Sequence, residues 1–378
     1  MGAACVLAAA LALAGSASAQ ENLAPRGQAG ISLFTDDMGT TIWSPHASAG
    51  ATLPGEVETD VSWVADVISS ASVDVVTAAT GRMEELRNQV TLAGAREHVA
   101  NDLDVHGAYT YSVENDAFSH VAQLGARLGI DDDNFEVGAQ YGLSYNRLGV
   151  ASDATRLWGT LWVNNLDVDL VVLFGAKTQV DLVYSGAWNS GYMANPYRRV
   201  PIAFRTDLRG AQWVDESVPD TRLRHAITGR IRHAFSSRLL GFLDYRFYVD
   251  SWSVVGHTAQ LKLALRLGSE LTFQVRARGT LQGAASFYQT AYDVPTVYRT
   301  RDRRLSSHLS GMVGGAIIWQ LGPTMGLEAL NLRLAVDGVA WYYDDFLMPV
   351  LLPTSEADQG TLGLVQGLVA QVGIEVRP

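Results

Sequence analysis

The stretch Leu271-Thr272-Phe273-Gln274-Val275-Arg276-Ala277-Arg278-Gly279-Thr280-Leu281-Gln282-Gly283 decides the fold. Its odd positions to Leu281 are apolar or glycine, and its even positions are Thr, Gln or Arg. Successive side chains of a strand point to opposite sides, so one face suits lipid and the other water, as in the wall of a transmembrane barrel. The segment before it repeats the pattern. Val255, Ala259, Leu261, Leu263, Leu265 and Leu267 oppose Thr258, Gln260, Lys262 and Arg266, and Gly268-Ser269-Glu270 makes the turn between the two. Near the C-terminus Leu362, Leu364, Leu368, Ala370, Val372, Ile374 and Val376 share a face, as a closing strand should.

Working outward, period-two segments fall near 27–36, 40–53, 55–70, 88–98, 103–115, 117–130, 134–149, 155–173, 177–190, 222–236, 239–253, 255–267, 271–288, 305–321, 328–345 and 360–376. These lengths suit tilted membrane-crossing strands, which need at least about 9–11 residues. The predicted fold class is all-β: a transmembrane antiparallel up-and-down β-barrel of about sixteen strands. An even count returns both termini to one side, and a barrel of this size has room for water inside. A soluble β-sandwich also alternates, but segments this long with aromatics near their ends argue against it. Asp131-Asp132-Asp133-Asn134 and Gly322-Pro323-Thr324 read as short turns, the first as a solvated turn rather than a calcium loop. Longer connections at 71–87, 191–221, 289–304 and 346–359 read as external loops or inward-folded constrictions, with 191–221 the expected constriction.

Of 378 residues 48% are hydrophobic and 18% charged, which excludes a disordered chain. The formal charge of −11 argues against nucleic acid as a partner. Residues 1–19 read as a signal peptide cleaved before Gln20, although no Lys or Arg precedes its apolar run. Residues 20–378 then form one outer-membrane barrel domain. The single cysteine, Cys5, lies in the leader, so the mature chain has no disulfide, thiolate ligand or thiol nucleophile. No later apolar run reaches the roughly 18–20 residues of a spanning helix, so any crossing is by strands.

Two charged faces follow from the alternation. Glu56, Glu58, Asp60, Ser62 and Asp66 share a face opposite Val57, Val61, Trp63, Ala65 and Val67, and Glu56, Glu58, Asp60 and Asp66 are read as an acidic lumen wall. Arg222, Arg224, Arg230, Arg232, Arg246, Lys262, Arg266, Arg276 and Arg278 are read as a basic lumen wall, partly offset by Asp244 and Asp250. The acidic segment is third in strand order and the basic ones tenth to thirteenth, so a closed ring opposes them. Opposed fixed charges around a narrow water path would orient dipolar solutes and tune ion selectivity. The alternative is that the same side chains pair and fill the barrel. His225 and His233 fall on the outward face near opposite ends of their segment, where interface anchoring is expected.

No His-x-x-x-His or His-Glu-x-x-His spacing occurs among the eight histidines, so no metal site is expected. No phosphate-binding glycine motif opens a helix after a strand, so no cofactor is expected. The hydrolase candidates Asp250, His257 and Thr258, or Ser306, Ser307 and His308, are neighbours whose side chains alternate in direction, and no enzyme is expected.

Particular residues carry a resemblance. They are Asp66-Val67-Ile68-Ser69-Ser70-Ala71; Asn189-Ser190-Gly191-Tyr192-Met193-Ala194-Asn195-Pro196-Tyr197-Arg198; Pro219-Asp220-Thr221-Arg222 with Arg224-His225-Ala226; Tyr245-Arg246-Phe247-Tyr248 with Asp250, Trp252, His257 and Thr258; Phe287-Tyr288-Gln289; and Asp302-Arg303-Arg304-Leu305-Ser306. Together they resemble the Gram-negative outer-membrane barrels of domain-of-unknown-function family 3570. The resemblance implies a barrel in the cell outer membrane, and a link to periplasmic redox proteins, but no reaction. One departure is the ending Ile374-Glu375-Val376-Arg377-Pro378, where such barrels commonly finish on an aromatic residue. The expected function is a porin-like channel for passive diffusion of small hydrophilic solutes through a charged lumen. Its expected partners are outer-membrane lipid and the barrel assembly machinery. The alternative is an occluded structural barrel that holds a periplasmic or redox partner protein.

Overall fold

The computed structural model describes residues 24–70, 83–100, 102–130, 134–150, 159–202, 211–323, 327–347 and 361–377. The expected leader, Asp131 to Asp133, and most of 71–87 and 346–359 lie outside them. The described chain is almost entirely strand: β1 Ala24–Asp36, β2 Thr40–Leu53, β3 Val57–Ser70, β4 Met83–Ala100, β5 Leu103–Val113, β6 Ala117–Ile130, β7 Phe135–Leu148, β8 Gly159–Phe174, β9 Thr178–Gly191, β10 Arg199–Ile202, β11 Gln212–Asp215, β12 Thr221–Ala234, β13 Leu239–Asp250, β14 Val255–Leu267, β15 Leu271–Gln282, β16 His308–Leu321, β17 Ala329–Leu347 and β18 Thr361–Arg377.

All but β10 and β11 form one closed antiparallel barrel of sixteen strands in chain order, with β9 beside β12. Closure is made by β1 against β18, from Gly27 opposite Val376 to Asp36 opposite Gly367. Closing the ring pairs both edges of the sheet, which removes unpaired backbone edges without a disulfide. The alternation read from the sequence sets the faces. Leu124, Val275, Leu281, Val313 and Leu334 stand exposed on the outside, while the alternate positions line the interior.

The two ends differ. At the end where β1 begins and β18 finishes the connections are 54–56, 101–102, 131–134, 175–177, 235–238, 268–270 and 322–328. At the other, here the loop end, they include 71–82, 149–158, 192–220, 283–307 and 348–360. Several expected boundaries move, among them the start of β4, which lies at Met83 inside the connection expected at 71–87. The segment expected at 271–288 leaves the wall after Gln282, because 283–307 turns over the mouth. The one expected at 55–70 starts at Val57, because Gly55 and Glu56 take φ of 85° and 61° in a left-handed turn.

Candidate functional site: the charged lumen and its cap

The interior follows the ring. β3 is the third strand and β12 to β15 are the tenth to thirteenth, so the eleventh, β13, is half a ring from β3. Glu58, Asp60 and Asp66 alternate with the outward Val61 and Val67 and therefore face the lumen. Glu56 does not join them: it is an exposed residue of the turn before β3. On the other side Arg222, Arg224, Arg230 and Arg232 of β12, Arg246 of β13, Lys262 and Arg266 of β14, and Arg276 and Arg278 of β15 alternate with outward Leu223, Ile227, Ile231, Tyr245, Leu261, Leu265 and Val275. Register aligns Arg232, Phe242, Lys262 and Arg276 in one row, and Arg230, Asp244, Gln260 and Arg278 in the next.

Pairing runs along each wall rather than across it. Arg26 of β1 meets Glu58 of β3 at 3.3 Å, and Arg87 of β4 meets Asp66. Arg127 of β6 reaches Asp169 of β8 at 3.2 Å, and Arg232 of β12 reaches Asp181 of β9 at 3.3 Å. Arg276 of β15 holds Asp337 of β17, and Arg222 holds Asp250. Every one of these pairs joins strands one or two places apart, so none of them spans the barrel. Among the described residues Arg224, Arg230, Arg246, Lys262, Arg266, Arg278 and Arg333 form no ion pair. Lys262 lies over the Phe242 ring at 3.9 Å and Arg246 over Tyr248 at 5.4 Å. Across the ring Asp60, Glu85, Glu114 and Asp116, and nearer by Asp167 of β8, are also outside any ion pair among the described residues.

The loop end is closed over by a cap. Within 192–220 the strands β10 and β11 form a hairpin, and 283–307 folds against it. Ser217 N donates to Arg299 O at 3.1 Å and Arg299 N to Ser217 O at 2.7 Å, and Ile202 bridges Tyr292. The expectation that 191–221 folds inward thus acquires a second partner segment that the periodicity did not reveal. Glu216 gathers the two segments: its carboxylate accepts from Asn195 N at 2.6 Å, Arg198 at 3.2 Å and Thr300 Oγ1. Asp302 accepts from Arg198 at 3.0 Å and Arg304 at 2.8 Å. Burial would raise the Asp302 carboxyl, but Arg198 and Arg304 hold it below its ordinary value. Burial lifts the Tyr292 phenol to about 12, and its hydroxyl donates to the carbonyl of Phe287.

The main apolar cluster joins cap to wall, with Ala285 and Tyr288 of the cap against Trp252, Val254, Tyr343, Phe346 and Val365. The Arg222 guanidinium sits 4.2 Å from the Trp252 ring, whose Nε1 donates to Thr221 O at 2.9 Å. A cavity of about 750 Å³ remains between cap and wall, bordered by Glu85, Glu114 and Asp116 on one side and Arg198, Arg222 and Arg304 on the other. The three carboxylates place oxygens within 4.8 Å of one another, a grouping with the donors for a cation that no spacing in the sequence disclosed. Tyr197 donates its hydroxyl to Asp116, tying the cap to this wall.

The hydrolase candidates are not assembled into a nucleophile and base. Asp250 accepts from Arg222, Tyr248 and the amides of Trp252 and Val254. His257 faces outward to Tyr245, and Ser306 Oγ donates to Arg303 O. His225 likewise pairs outward with Tyr184, and His233 at the opposite end with Thr178 and Phe235.

Sixteen antiparallel strands closed edge to edge, apolar outside and charged within, define a barrel of the outer-membrane type. Residues 160–322 match the model of the family described as "Protein of unknown function (DUF3570)", so the resemblance read from the sequence holds over β8 to β16 and both cap segments. Its distinctive residues Asn195 to Arg198, Pro219 to Arg222, Phe287 to Gln289 and Asp302 to Ser306 all lie in the cap or at its seat. The fold is similar to that of a bacterial polysaccharide outer membrane secretin, with TM-score 0.52 and 9% identity over 94% of this chain and 98% of that one. It is also similar to CdiB from Acinetobacter baumannii, with TM-score 0.50 and 9% identity over 92% of this chain and 60% of that one. At such identities the likeness is one of fold. None of the curated protein sequences matches this chain.

Proposed function

We propose that this barrel sits in the outer membrane with its loop end outward and works as a passive, narrowed pore for small hydrophilic solutes, without bond chemistry. One observation carries the reading: the surplus of unpaired charge on the lumen walls. Removing an ion from water costs several kcal/mol even after relaxation. Seven cationic side chains of one wall lack an ion partner among the described residues, so a dry lumen holding them would outweigh the stability of an ordinary domain. The interior is therefore wet, which supports a path for hydrophilic solutes over a packed plug. The cap narrows that path at the loop end, and the basic sector from β12 to β17 biases it toward anions.

The test is single-channel current and reversal potential in a planar bilayer under a salt gradient. Arg230→Glu/Arg278→Glu changes wall charge and spares Arg232 and Arg276, which hold Asp181 and Asp337. Stable current steps, with anion preference in the wild type and a shift toward cations in the variant, are expected. An inserted but silent barrel would reject the pore and favour the second reading, to which the cap lends support: an occluded barrel that holds a periplasmic or redox partner.

A further inference from the structure

Three tyrosine and histidine pairs on the outer wall share one geometry. Tyr109 with His120, Tyr184 with His225 and Tyr245 with His257 place the phenol oxygen 2.6, 2.8 and 2.7 Å from Nδ1. Their ring centroids are 6.2, 6.0 and 6.2 Å apart, inclined at 36°, 33° and 36°. In each pair the histidine lies opposite the residue two places after the tyrosine, namely Tyr111, Gly186 or Phe247. Each histidine stands within the first five residues of a strand descending from the loop end, β6, β12 or β14. The tyrosines are 44%, 37% and 49% exposed, on the apolar outer face.

The dyad sets where a proton can sit. Among the described residues each of these hydroxyls has Nδ1 as its one hydrogen-bond partner, and in the tautomer in which the phenol donates there the ring's own proton sits on Nε2. No described residue accepts from these Nε2 atoms. An unmet N–H donor is costly in hydrocarbon, so the belt lies at headgroup depth, where the strongest acceptors are phosphate oxygens. His233 at the other end has a threonine partner instead and stands outside the repeated geometry.

We propose that these three dyads bind phosphate groups of lipid headgroups in the leaflet at the loop end. This rests on the membrane placement proposed above, but not on the pore. The experiment is native mass spectrometry of the full barrel titrated with bisphosphorylated lipid A, with dephosphorylated lipid A, and with inorganic phosphate as competitor. Wild type is expected to prefer the bisphosphorylated lipid by about tenfold or more, since charge-assisted hydrogen bonds are the strong ones. His120→Phe/His225→Phe/His257→Phe should lose that preference. Tyr109→Phe/Tyr184→Phe/Tyr245→Phe, which keeps the imidazoles, should retain part of it. Weak competition by inorganic phosphate is expected of a lipid site; complete competition at equal concentration would overturn the lipid as ligand. Equal affinity of wild type for the two lipids would overturn the proposal even if the variants failed to fold. A preference unchanged in the folded histidine variant would do the same. A barrel silent in the bilayer that keeps the preference would remove the pore and leave the belt.

Discussion

Gly314 is a seat for its neighbour. A Cβ there would fall inside contact distance of the Asp337 carboxylate and the Val336 carbonyl, so only glycine lets Asp337 lie flat and receive Arg276 Nε at 2.6 Å. Gly138 stands in the same relation to Asp169. Asp337 is 2% exposed, and leaving one partner of a buried pair alone costs about 3–5 kcal/mol. Gly314→Ala is therefore expected to lower the temperature at which the folded form is lost on semi-native gels, while Gly229→Ala, with open space at its Cβ, leaves it unchanged. A Gly314→Ala barrel as heat-resistant as wild type would contradict this account. In the cap, Glu216→Gln keeps the shape but removes the charge that Arg198 faces. Hydrogen bonds to charged groups contribute about 1.5–3 kcal/mol, so cleavage of 192–220 by added protease should rise about tenfold or more.

At the scale of elements, the strands were legible and the cap was not. A strand in a barrel wall writes its environment into every second residue, and the segments read at 40–53, 117–130 and 255–267 coincide with β2, β6 and β14. Loops carry no such period. The cap is held by side-chain bonds such as Thr300 to Glu216 and by bridges between distant segments, and no local pattern encodes them. The stretches that carried the family resemblance, Asn195 to Arg198 and Asp302 to Ser306, were the available signal, though nothing in them says that they meet. The acidic residues that meet at the mouth were missed for a similar reason: Glu85 comes from β4, and Glu114 and Asp116 from the turn after β5. Two measurements address the cap. Ser217 and Arg299 exchange both backbone bonds, so their Cα atoms lie about 5.5 Å apart, within disulfide reach. Ser217→Cys/Arg299→Cys should oxidise readily, and oxidised and reduced forms should conduct alike if the cap is a fixed narrowing; a current that falls on oxidation would show that it opens. The pH limits follow from the two titrating groups. Asp302 is depressed when folded, so its contribution is present above the unfolded value of about 4 and is lost as pH falls through the lower folded one. Tyr292 is raised, so its contribution is present below about 10 and is lost as pH rises through about 12. Protease resistance of the cap should be flat between these limits and fall outside them.

For the whole molecule, the arrangement of charge matters more than its sum. The chain carries −11 overall, yet the lumen wall from β12 to β17 is cationic, so bulk charge and the proposed pore predict opposite selectivities. The preference should also fade with salt: the screening length is about 10 Å at 0.1 M and about 3 Å at 1 M. Reversal potentials measured at fixed gradient ratio should approach zero as mean salt rises, and a preference independent of salt would place selectivity in the dimensions of the cap instead. The cap also bears on biogenesis. Its two halves hang from different hairpins, β9 with β12 and β15 with β16, and its interior holds Arg198, Glu216 and Asp302. On the membrane placement proposed above, such a knot of ions cannot cross hydrocarbon ready-made, so both segments would be threaded through as open chain and meet on the far side. Docking of the cap would then be the closing event of assembly, and until it happened the nascent barrel would stand open at that end.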